Sequence, residues 1–402
     1  MNVLHHLLRR AARLARASAR RVAAFGARGG EAREAPPRHE GPTPTPPAPS
    51  ASEGLPAGGV VAATAEGVAA PVDVAAPGVP VLRGPAGAPP RSRSPSPTAV
   101  PAPGRGSFRA ARFADAAGER AYRLFVPPGG ASGARALLVM LHGCKQDAAD
   151  FAAGTSMNER ARERGWVVLY PEQSRSANGL GCWNWFKAGH QRRGLGEPAI
   201  LAGMVRHVVA TEDIDAQRVY VAGLSAGGAM AATLANTYPE LFAAVGIHSG
   251  LPYAAAHDAM SAFRAMRAGP MTTRRAAPVR PELPTIVFHG DLDDTVHPDN
   301  GEALVAGARP AELTTMGGAP TRSWTRVERG RVPGGHAYTR TVHTAPDGRI
   351  HAEHWLVHGA GHAWCGGSPA GSYTDPAGPD ASGEMLRFFA AHRRVTEVAS
   401  AA

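Results

Sequence analysis

Residues 219–230 read VYVAGLSAGGAM, an apolar run that ends in a Gly-x-Ser-x-Gly pentapeptide and continues into small residues. The run has the composition of a buried strand, and residues 226–239 have that of a helix closed by a Tyr-Pro pair. A serine at such a strand-to-helix turn sits in strained backbone, and the turn lifts its hydroxyl out of the sheet. We therefore predict that Ser225 is a nucleophile. Because the chain holds 48 glycines, an ordinary serine in a Gly-rich turn is the competing interpretation.

Apolar runs and stretches with helical spacing alternate after residue 107. The predicted strands are 121–127, 135–143, 166–171, 218–223, 242–250, 284–290 and 349–359, and the predicted helices are 151–165, 197–212, 226–239 and 380–394. We expect Asp380 or Ser382 to cap the last helix. The alternation predicts an α/β fold with a mostly parallel, doubly wound sheet and helices on both faces. In such sheets, functional residues collect in loops at the carboxyl ends of the strands.

The loop after the predicted strand 284–290 supplies an acid that could orient a catalytic base. It contains three aspartates, Asp291, Asp293 and Asp294. In this architecture the acid follows the nucleophile in the chain, and the histidine follows the acid. We choose Asp293, because the spacing H-G-x-x-D-x-x-V places it one turn past the strand end. Asp291 and Asp294 are expected to be turn and solvent residues.

His362 is the candidate general base among the 17 histidines, since it follows the acid and lies in a Gly-rich loop after a late strand. His358 ends that strand and is expected to point elsewhere. His289 and His297 flank the acid and are expected to be structural. His248 ends its own strand at the same edge and is expected to be within reach of a substrate.

Attack on a carbonyl creates an oxyanion, which needs N–H donors fixed in advance. One candidate is the backbone N–H of Ala226, directly after the nucleophile. The other comes from LHGCKQ, residues 141–146, where we favour the N–H of Cys144 over that of Gly143. His142 is expected to hold this loop by hydrogen bonding. A plain strand-ending turn is the competing interpretation of the His-Gly pair.

The first 106 residues differ in composition from the rest of the chain. Residues 36–106 are rich in Pro, Ala, Gly and Ser, and we interpret them as a disordered linker. Residues 1–35 combine leucines with many arginines, as a basic amphipathic helix does on an anionic surface such as a membrane or a polymer granule. An Arg-rich leader without that role is the competing interpretation. The predicted folded domain spans 107–396.

The net charge of +10 lies mostly in this tail, since residues 1–106 carry 13 arginines against 6 acidic residues. The folded part is nearly balanced, which argues against a nucleic-acid partner. No apolar run reaches the roughly 18 residues of a membrane-spanning helix, and arginines interrupt any export-signal core. The three cysteines are too few for a disulfide scaffold and lack the spacing of a zinc site. The cysteine count still allows one disulfide bridge and one free thiol.

Seven motifs along the folded part match a known family in order. They are LHGCKQ, MNERARERGWVVLYPEQS, CWNWF, RRGLGEP, VYVAGLSAGGAMAATLANTYPELFAAVGIHSGLPY, HGDLDDTVHP and GHAWCGGSPAGSYTDPAGPDAS. Together they resemble the esterase family of poly(3-hydroxybutyrate) depolymerases, and within it the type 1 extracellular catalytic domain of short-chain-length polyhydroxyalkanoate depolymerases. The resemblance covers about 110–393. It implies an α/β-hydrolase fold, a Ser225–Asp293–His362 triad and an oxyanion contribution from Cys144, without a metal or an organic cofactor.

The resemblance also places CWNWF, residues 182–186, near the substrate entrance. Candidate substrate-contacting residues are therefore His142, Trp183, Trp185, Ser249 and Trp364. For the tryptophans, a role as packing anchors is the alternative, because tryptophan is highly buried on average.

The same resemblance bears on the state of the three cysteines. Cys365 stands where the family more often has a serine, so a free thiol is expected there. A Cys144–Cys182 bridge would tie the oxyanion loop to the CWNWF loop, and the sequence leaves that bridge open.

The sequence thus predicts a serine ester hydrolase that cleaves short-chain-length polyhydroxyalkanoate or its oligomers through an acyl-enzyme. Extracellular location rests on the resemblance, since no export signal is clear, and a cytoplasmic location is the alternative. We see no polymer-binding module after the last predicted helix, so soluble oligomers or small esters compete with crystalline polymer as substrates. A carbohydrate esterase of feruloyl or acetyl-xylan type is the second hypothesis. A non-catalytic granule- or surface-binding protein is the third.

Overall fold

A computed structural model describes residues 104, 106–129, 133–270, 283–308 and 323–394. All of them belong to one compact unit of the chain, Ser92–Ala402. The predicted amphipathic segment 1–35 and nearly all of the predicted linker 36–106 lie outside the described residues. Within the described ranges, every helix is too short or too polar to span a bilayer.

The central sheet is mostly parallel. Its strands are β1 Ser107–Asp115, β2 Gly118–Val126, β3 Arg135–Leu141, β4 Val167–Pro171, β5 Ile214–Leu224, β6 Ala244–His248, β7 Thr285–Gly290, β8 Trp324–Arg331, β9 Ala337–Thr344 and β10 Ile350–His358. Two short strands, β11 Trp364–Cys365 and β12 Thr374–Asp375, pair with each other in a separate sheet. The strand order in the ten-stranded sheet of the described residues is β1-β2-β4-β3-β5-β6-β7-β10-β9-β8. The six strands from β4 to β10 in this order run parallel, and antiparallel strands extend both edges.

Helices cover both faces of this sheet. They are α1 Ala148–Thr155, α2 Met157–Arg164, α3 Gly196–Thr211, α4 Ala226–Thr237, α5 Ala259–Ala268, α6 Asp299–Ala308 and α7 Ala381–Ala390. Successive side chains of β3 alternate between two hydrophobic cores, as the pleat of a strand requires. Leu137 and Val139 pack with residues of α3 and α4, whereas Leu138 and Met140 pack with residues of α1 and α7. The predicted doubly wound α/β fold is confirmed.

The structure differs from the sequence prediction in several local elements. The predicted helix 151–165 is two helices, because Ser156 adopts a left-handed conformation with φ 49° that ends α1. Asp380 is the N-cap of α7, as expected, and accepts a hydrogen bond from the Gly383 N–H at 2.9 Å. Seven of the labelled elements were not predicted, namely β1, β8, β9, β11, β12, α5 and α6. The edge strand β8 is largely exposed and mostly polar, so it lacks the apolar run by which a strand is recognised.

The start of α4 packs directly against the end of β3. A Cβ atom built on Gly227 would lie 2.0 Å from the Leu141 carbonyl oxygen and 2.6 Å from that of His142. Only glycine fits such an approach of two backbones. The contact therefore fixes the position of Ser225, which connects β5 to α4, relative to the loop that follows β3.

Replacing Gly227 with alanine is expected to lower the free energy of unfolding by about 3 kcal/mol, because the clash is with backbone that cannot rotate away. Urea unfolding followed by circular dichroism measures the change. Gly179→Ala is the matched control, since a Cβ there meets no atom within 4 Å. The free energy of unfolding of that control should stay within about 0.5 kcal/mol of the wild-type value. Equal unfolding midpoints for the two variants would contradict the packing described.

Candidate active site

Ser225 occupies a sharp turn between β5 and α4. Its backbone dihedrals are φ 56° and ψ −120°, a sparsely populated conformation for a residue with a side chain. The Ser225 N–H donates to the His248 carbonyl at 2.9 Å, and the Ser225 carbonyl accepts from the Ala229 N–H at 2.9 Å. Two hydrogen bonds thus hold the strained turn. Helix α4 begins at the next residue, so its positive end lies at the serine.

Asp293 and His362 are hydrogen-bonded to each other. The Nδ1 atom of His362 lies 2.7 Å from Oδ2 of Asp293. The second carboxylate oxygen of Asp293 accepts from the Thr295 N–H at 3.0 Å and from the Val296 N–H at 2.8 Å. With its carboxylate fixed in this way, Asp293 holds the His362 ring in the tautomer that carries its proton on Nδ1. Nε2 is then left with a free lone pair, as a general base requires.

The Asp293 carboxylate is buried but stays ionised. Burial alone would raise the pKa of Asp293, but the hydrogen bonds from His362 and from the Val296 N–H lower it below its ordinary value. His289 lies behind this pair, where it is buried and its Nε2 is 2.8 Å from the Val296 carbonyl oxygen. His289 therefore supports the aspartate loop, a structural role of the kind expected from its position.

His248 connects the serine turn to the loop of His362. Its carbonyl accepts from Ser225, and its ring Nε2 accepts from the Cys365 N–H at 3.0 Å. The ring also stacks on Trp364, with centroids 5.1 Å apart. Burial, aided by the proximity of the His289 and His362 rings, lowers the pKa of His248 to about 3, so the ring is neutral. The expectation that His248 touches substrate is wrong, because the residue is fully buried.

His248 therefore joins the loop that contains Ser225 to the loop that contains His362. In the described part of the chain, no hydrogen bond links the Ser225 hydroxyl to His362. Catalytic hydrogen bonds in ligand-free enzymes are often long and tighten when substrate binds. The arrangement brings the nucleophile candidate and the Asp293–His362 pair to one edge of the sheet.

Two backbone N–H groups near Ser225 are free to hold an oxyanion. Gly143 is unsuited, because its N–H already donates to Oε1 of Gln146 at 2.9 Å. Neither Cys144 nor Ala226 uses its N–H for a protein acceptor among the described residues. A Cβ on Gly143 would lie 3.5 Å from the Leu224 carbonyl oxygen, so this loop lies next to the serine turn. These contacts agree with the preference for Cys144 over Gly143.

A disulfide joins Cys144 to Cys182, thirty-eight residues along the chain. The loops are also joined by the Lys145 N–H, which donates to the Leu180 carbonyl at 2.8 Å. The bridge that the sequence left open is therefore present, and it ties the Cys144 loop to the CWNWF loop. Cys365 is a free, buried thiol, as expected. Burial raises its pKa, with the charges of Asp375 and Asp293 adding to the effect, so this thiol is unreactive.

The five residues expected to contact substrate are all buried. Their exposed fractions are 1% for His142, 0% for Trp183, 5% for Trp185, 0% for Ser249 and 1% for Trp364. Trp183 donates its indole N–H to the His142 carbonyl at 3.1 Å, and Trp364 donates to the Ser382 hydroxyl at 3.1 Å. The interpretation of the tryptophans as packing anchors is the one that these contacts favour. His142 binds backbone groups through both ring nitrogens, so it holds its loop rather than a ligand.

A second aspartate–histidine pair lies beside the first. Asp291 Oδ2 is 2.8 Å from Nδ1 of His358, and Asp291 Oδ1 accepts from the Gly359 N–H at 2.7 Å. The Nε2 atom of His358 is 2.9 Å from the Thr339 hydroxyl. Asp291 lies in a turn, as expected, and its contacts with His358 and Gly359 also fix the end of β10. His358 does point away from Asp293, as predicted.

Leu292 is an apolar surface residue that sequence reasoning missed. It lies between the two paired aspartates, the residue is 67% exposed, and its N–H donates to the Ala360 carbonyl at 3.0 Å. Its position in HGDLDD was the available signal, because an apolar residue between acids in a loop has no packing reason to be there. Across the described ranges, no group of three or more His, Cys, Asp or Glu side chains forms a metal-binding cluster.

The disulfide predicts a thiol count and a stability change. Denatured, unreduced protein should show one free thiol per chain, from Cys365, and reduction should expose the other two. Loss of the bridge in Cys144→Ser/Cys182→Ser should lower the free energy of unfolding by at most about 4 kcal/mol. Cys365→Ala is the control, since its thiol count should fall to zero while the bridge is kept. Three thiols before reduction would contradict the bridge.

Three comparisons place the chain among known proteins. The profile described as Esterase PHB depolymerase matches residues 120–320. Poly(3-hydroxyalkanoate) depolymerase C of Paucimonas lemoignei is 36% identical over 188 residues, which are 44% of this chain and 45% of that protein. Feruloyl esterase B of Neurospora crassa is 35% identical over 128 residues, which are 32% of this chain and 43% of that protein. The chain thus spans less than half the length of these two relatives.

Among solved structures, an acetyl xylan esterase from Aspergillus awamori superimposes with a TM-score of 0.52 at 18% identity, covering 70% of this chain and 99% of that one. At this identity the likeness shows the fold, which is that of an α/β-hydrolase-like esterase. The profile match covers half of the chain and includes the Ser225 turn and the Asp293 loop. The chain therefore belongs to the Esterase PHB depolymerase family.

Proposed function

We propose that this protein is a serine ester hydrolase in which Ser225 is the nucleophile, His362 the general base and Asp293 the residue that orients the base. The observation that carries the proposal is the 2.7 Å hydrogen bond between Asp293 and His362. It lies in a loop that His248 joins to the backbone of the strained serine. Membership of an esterase family supports the same chemistry.

The reaction follows from these positions. Nε2 of His362 takes the proton of the Ser225 hydroxyl while Oγ attacks the ester carbonyl carbon. The resulting oxyanion is held by the N–H groups of Ala226 and Cys144. When the intermediate collapses, the C–O bond breaks and the alcohol leaves with the proton from Nε2. Water, deprotonated by His362, then cleaves the acyl-enzyme, which releases the acid and restores Ser225.

We propose a short-chain-length polyhydroxyalkanoate or its oligomers as the substrate. The relative from Paucimonas lemoignei carries the name of a depolymerase for this polymer class. The exposed Leu292, next in the chain to Asp293, offers an apolar surface at the edge of the site. An aliphatic polyester has apolar segments between its ester groups, so contact with such a surface would favour its binding.

A carbohydrate esterase is the second candidate. The relative from Neurospora crassa is named a feruloyl esterase and matches at nearly the same identity as the depolymerase. Both candidates use the same reaction and differ only in the acid and alcohol that they recognise.

We also propose that the protein works in an oxidising compartment. The Cys144–Cys182 disulfide supports this location, because such bridges persist outside the reducing cytosol.

The two aspartate–histidine pairs allow a matched test of the catalytic acid. Asp293→Asn should lower kcat for p-nitrophenyl butyrate by about 10³- to 10⁴-fold, because the amide favours the wrong tautomer of His362. Asp291→Asn makes the same chemical change in the His358 pair and should lower kcat by less than about tenfold. Steady-state kinetics of both folded variants decides the point. If Asp291→Asn were the more damaging substitution, the assignment of Asp293 would be wrong.

The substrate class is tested by comparing kcat/KM for a 3-hydroxybutyrate dimer, methyl ferulate and an acetylated xylooligosaccharide. We expect the hydroxybutyrate ester to be preferred by at least tenfold over both others. The Leu292→Ser variant should reduce binding to a polyhydroxybutyrate film and leave turnover of p-nitrophenyl butyrate within about twofold. A preference for methyl ferulate or for acetylated sugar would replace the polyester with a carbohydrate substrate.

A further inference from the structure

We propose that Glu197 is a positioning residue for the oxyanion hole, whose buried carboxylate holds the peptide group between Gly143 and Cys144 in a fixed orientation. The Cys144 N–H would then be aimed before a substrate binds. This inference rests on the proposed ester-hydrolase function and adds to it a residue that does not touch the substrate.

Glu197 lies in the first turn of α3 with a wholly buried side chain. Oε1 accepts from Nε2 of Gln173 at 2.5 Å and from Nδ2 of Asn184 at 2.7 Å, and Oε2 accepts from the Asn184 N–H at 2.7 Å. Arg120 approaches the same carboxylate at 3.5 Å. A buried carboxylate is costly unless donors surround it, so this pocket is built to hold one. The surrounding donors make the carboxylate a fixed point for the loops that supply them.

The charge of Glu197 is maintained by these partners. Burial alone would raise the pKa of Glu197, but hydrogen bonds from His190, Gln173 and Asn184 bring it below its ordinary value. The group therefore acts as an acceptor at each of its oxygens at neutral pH. A neutral amide of the same shape could not do so.

A chain of hydrogen bonds leads from Glu197 to the proposed oxyanion donor. Gln173, held by Glu197, donates its backbone N–H to Nε2 of His142 at 3.1 Å. Because Nε2 accepts, the His142 proton is on Nδ1, which donates to the Gly143 carbonyl at 2.8 Å. That carbonyl and the Cys144 N–H belong to one planar trans peptide and point in opposite directions. Fixing the carbonyl therefore aims the N–H.

His142 is suited to this task because its ring stays neutral. Burial lowers the pKa of His142, with smaller opposing effects from the Gly143 carbonyl and Asp147. A protonated ring could not accept the hydrogen bond from Gln173. The neutral ring keeps one tautomer and therefore one orientation of the Gly143–Cys144 peptide.

A second connection reaches the same peptide from the other side. Asn184, held by Glu197 through two hydrogen bonds, lies between the two tryptophans of the CWNWF loop. Gln173 also donates to the Cys182 carbonyl at 3.0 Å. Cys182 is bonded to Cys144, and the Trp183 indole donates to the His142 carbonyl. Glu197 thus fixes both partners of the disulfide that ends at the oxyanion donor.

The test compares Glu197→Gln with Glu353→Gln. Glu353 is also a wholly buried glutamate, but it is held on β10 by Arg340 at 2.9 Å and by Arg387 at 2.7 Å. Its hydrogen bonds involve no residue of the Gly143 or CWNWF loops. The two variants make the same chemical change at equally buried sites, so they separate positioning of the oxyanion hole from a general loss of stability.

We expect Glu197→Gln to lower kcat for p-nitrophenyl butyrate at least tenfold while KM changes less than threefold, because an oxyanion donor acts on the transition state. Affinity for butylboronic acid, which forms a tetrahedral adduct on the serine, should fall by a similar factor. Glu353→Gln should keep kcat and the affinity for butylboronic acid within threefold of wild type. All measurements are made at a temperature where circular dichroism shows each variant folded. Gln173→Met, which breaks the same chain, should reproduce the loss if Glu197→Gln does not fold.

An unchanged kcat in Glu197→Gln, or in Gln173→Met where the first variant does not fold, would overturn the inference. So would a loss of kcat without loss of boronate affinity, or an equal loss in Glu353→Gln. These outcomes differ from failure of the proposed function. In that case the wild-type protein itself would hydrolyse no ester, or Ser225→Ala would remain active.

Discussion

The backbone of α4 meets the end of β3 with no room for a side chain between them. At Gly227 a single added carbon would lie 2.0 Å from the Leu141 carbonyl oxygen. Because α4 approaches so closely, Ala226, directly after the strained turn at Ser225, lies beside the loop that carries Cys144. The geometry proposed for the reaction depends on that contact, because it fixes the position of the Ala226 N–H relative to the Cys144 loop, the two proposed sources of oxyanion donors. The strain at Ser225 is held by hydrogen bonds to His248 and Ala229, one on each side.

Two polar networks surround this contact and act on different parts of the site. On one side, His248 joins the serine turn to the loop of His362, and Asp291 with His358 fixes the end of β10 from which that loop starts. On the other side, Glu197, Gln173 and His142 lead to the Gly143–Cys144 peptide. The proposed general base and the proposed oxyanion donor Cys144 are thus held by separate sets of buried groups. Residues that never touch a substrate can therefore be as important for catalysis as those that do.

The sequence predicts the strand-to-helix turn at Ser225 and the pairing of Asp293 with His362 better than the burial of the residues around them. Ser225 was predicted as the nucleophile because a strand-to-helix turn needs small residues at fixed positions, which is a local signal, and the structure shows such a turn there. Asp293 and His362 were chosen from their order after the serine and from their strand-end loops, and the structure shows that they contact each other. For Trp183 and Trp364 the sequence left substrate contact and a packing role open, because whether an aromatic ring faces the core or the solvent depends on packing that a single sequence does not encode. Their burial could be learned only from the structure.

Other features were missed for equally physical reasons. The Asp291–His358 pair depends on the register of β7 against β10, in which Gly290 lies opposite Val357, and register is not readable from either strand alone. Glu197 looks like an ordinary acid in the first turn of a helix, where acids are common. The strands β8 and β9 form an edge hairpin whose side chains are mostly exposed or half-buried, so they show no apolar run. Long-range pairing, rather than local propensity, decides each of these cases.

The most direct measurement of the central claim is covalent labelling of the full chain with a fluorophosphonate, followed by mass spectrometry of its peptides. The account predicts one adduct, on Ser225, and loss of ester hydrolysis in proportion to its formation. The reason is that a serine activated by a general base next to an oxyanion hole reacts with the fluorophosphonate much faster than an ordinary serine. An adduct on a different residue, or full hydrolytic activity in protein labelled at Ser225, would contradict it.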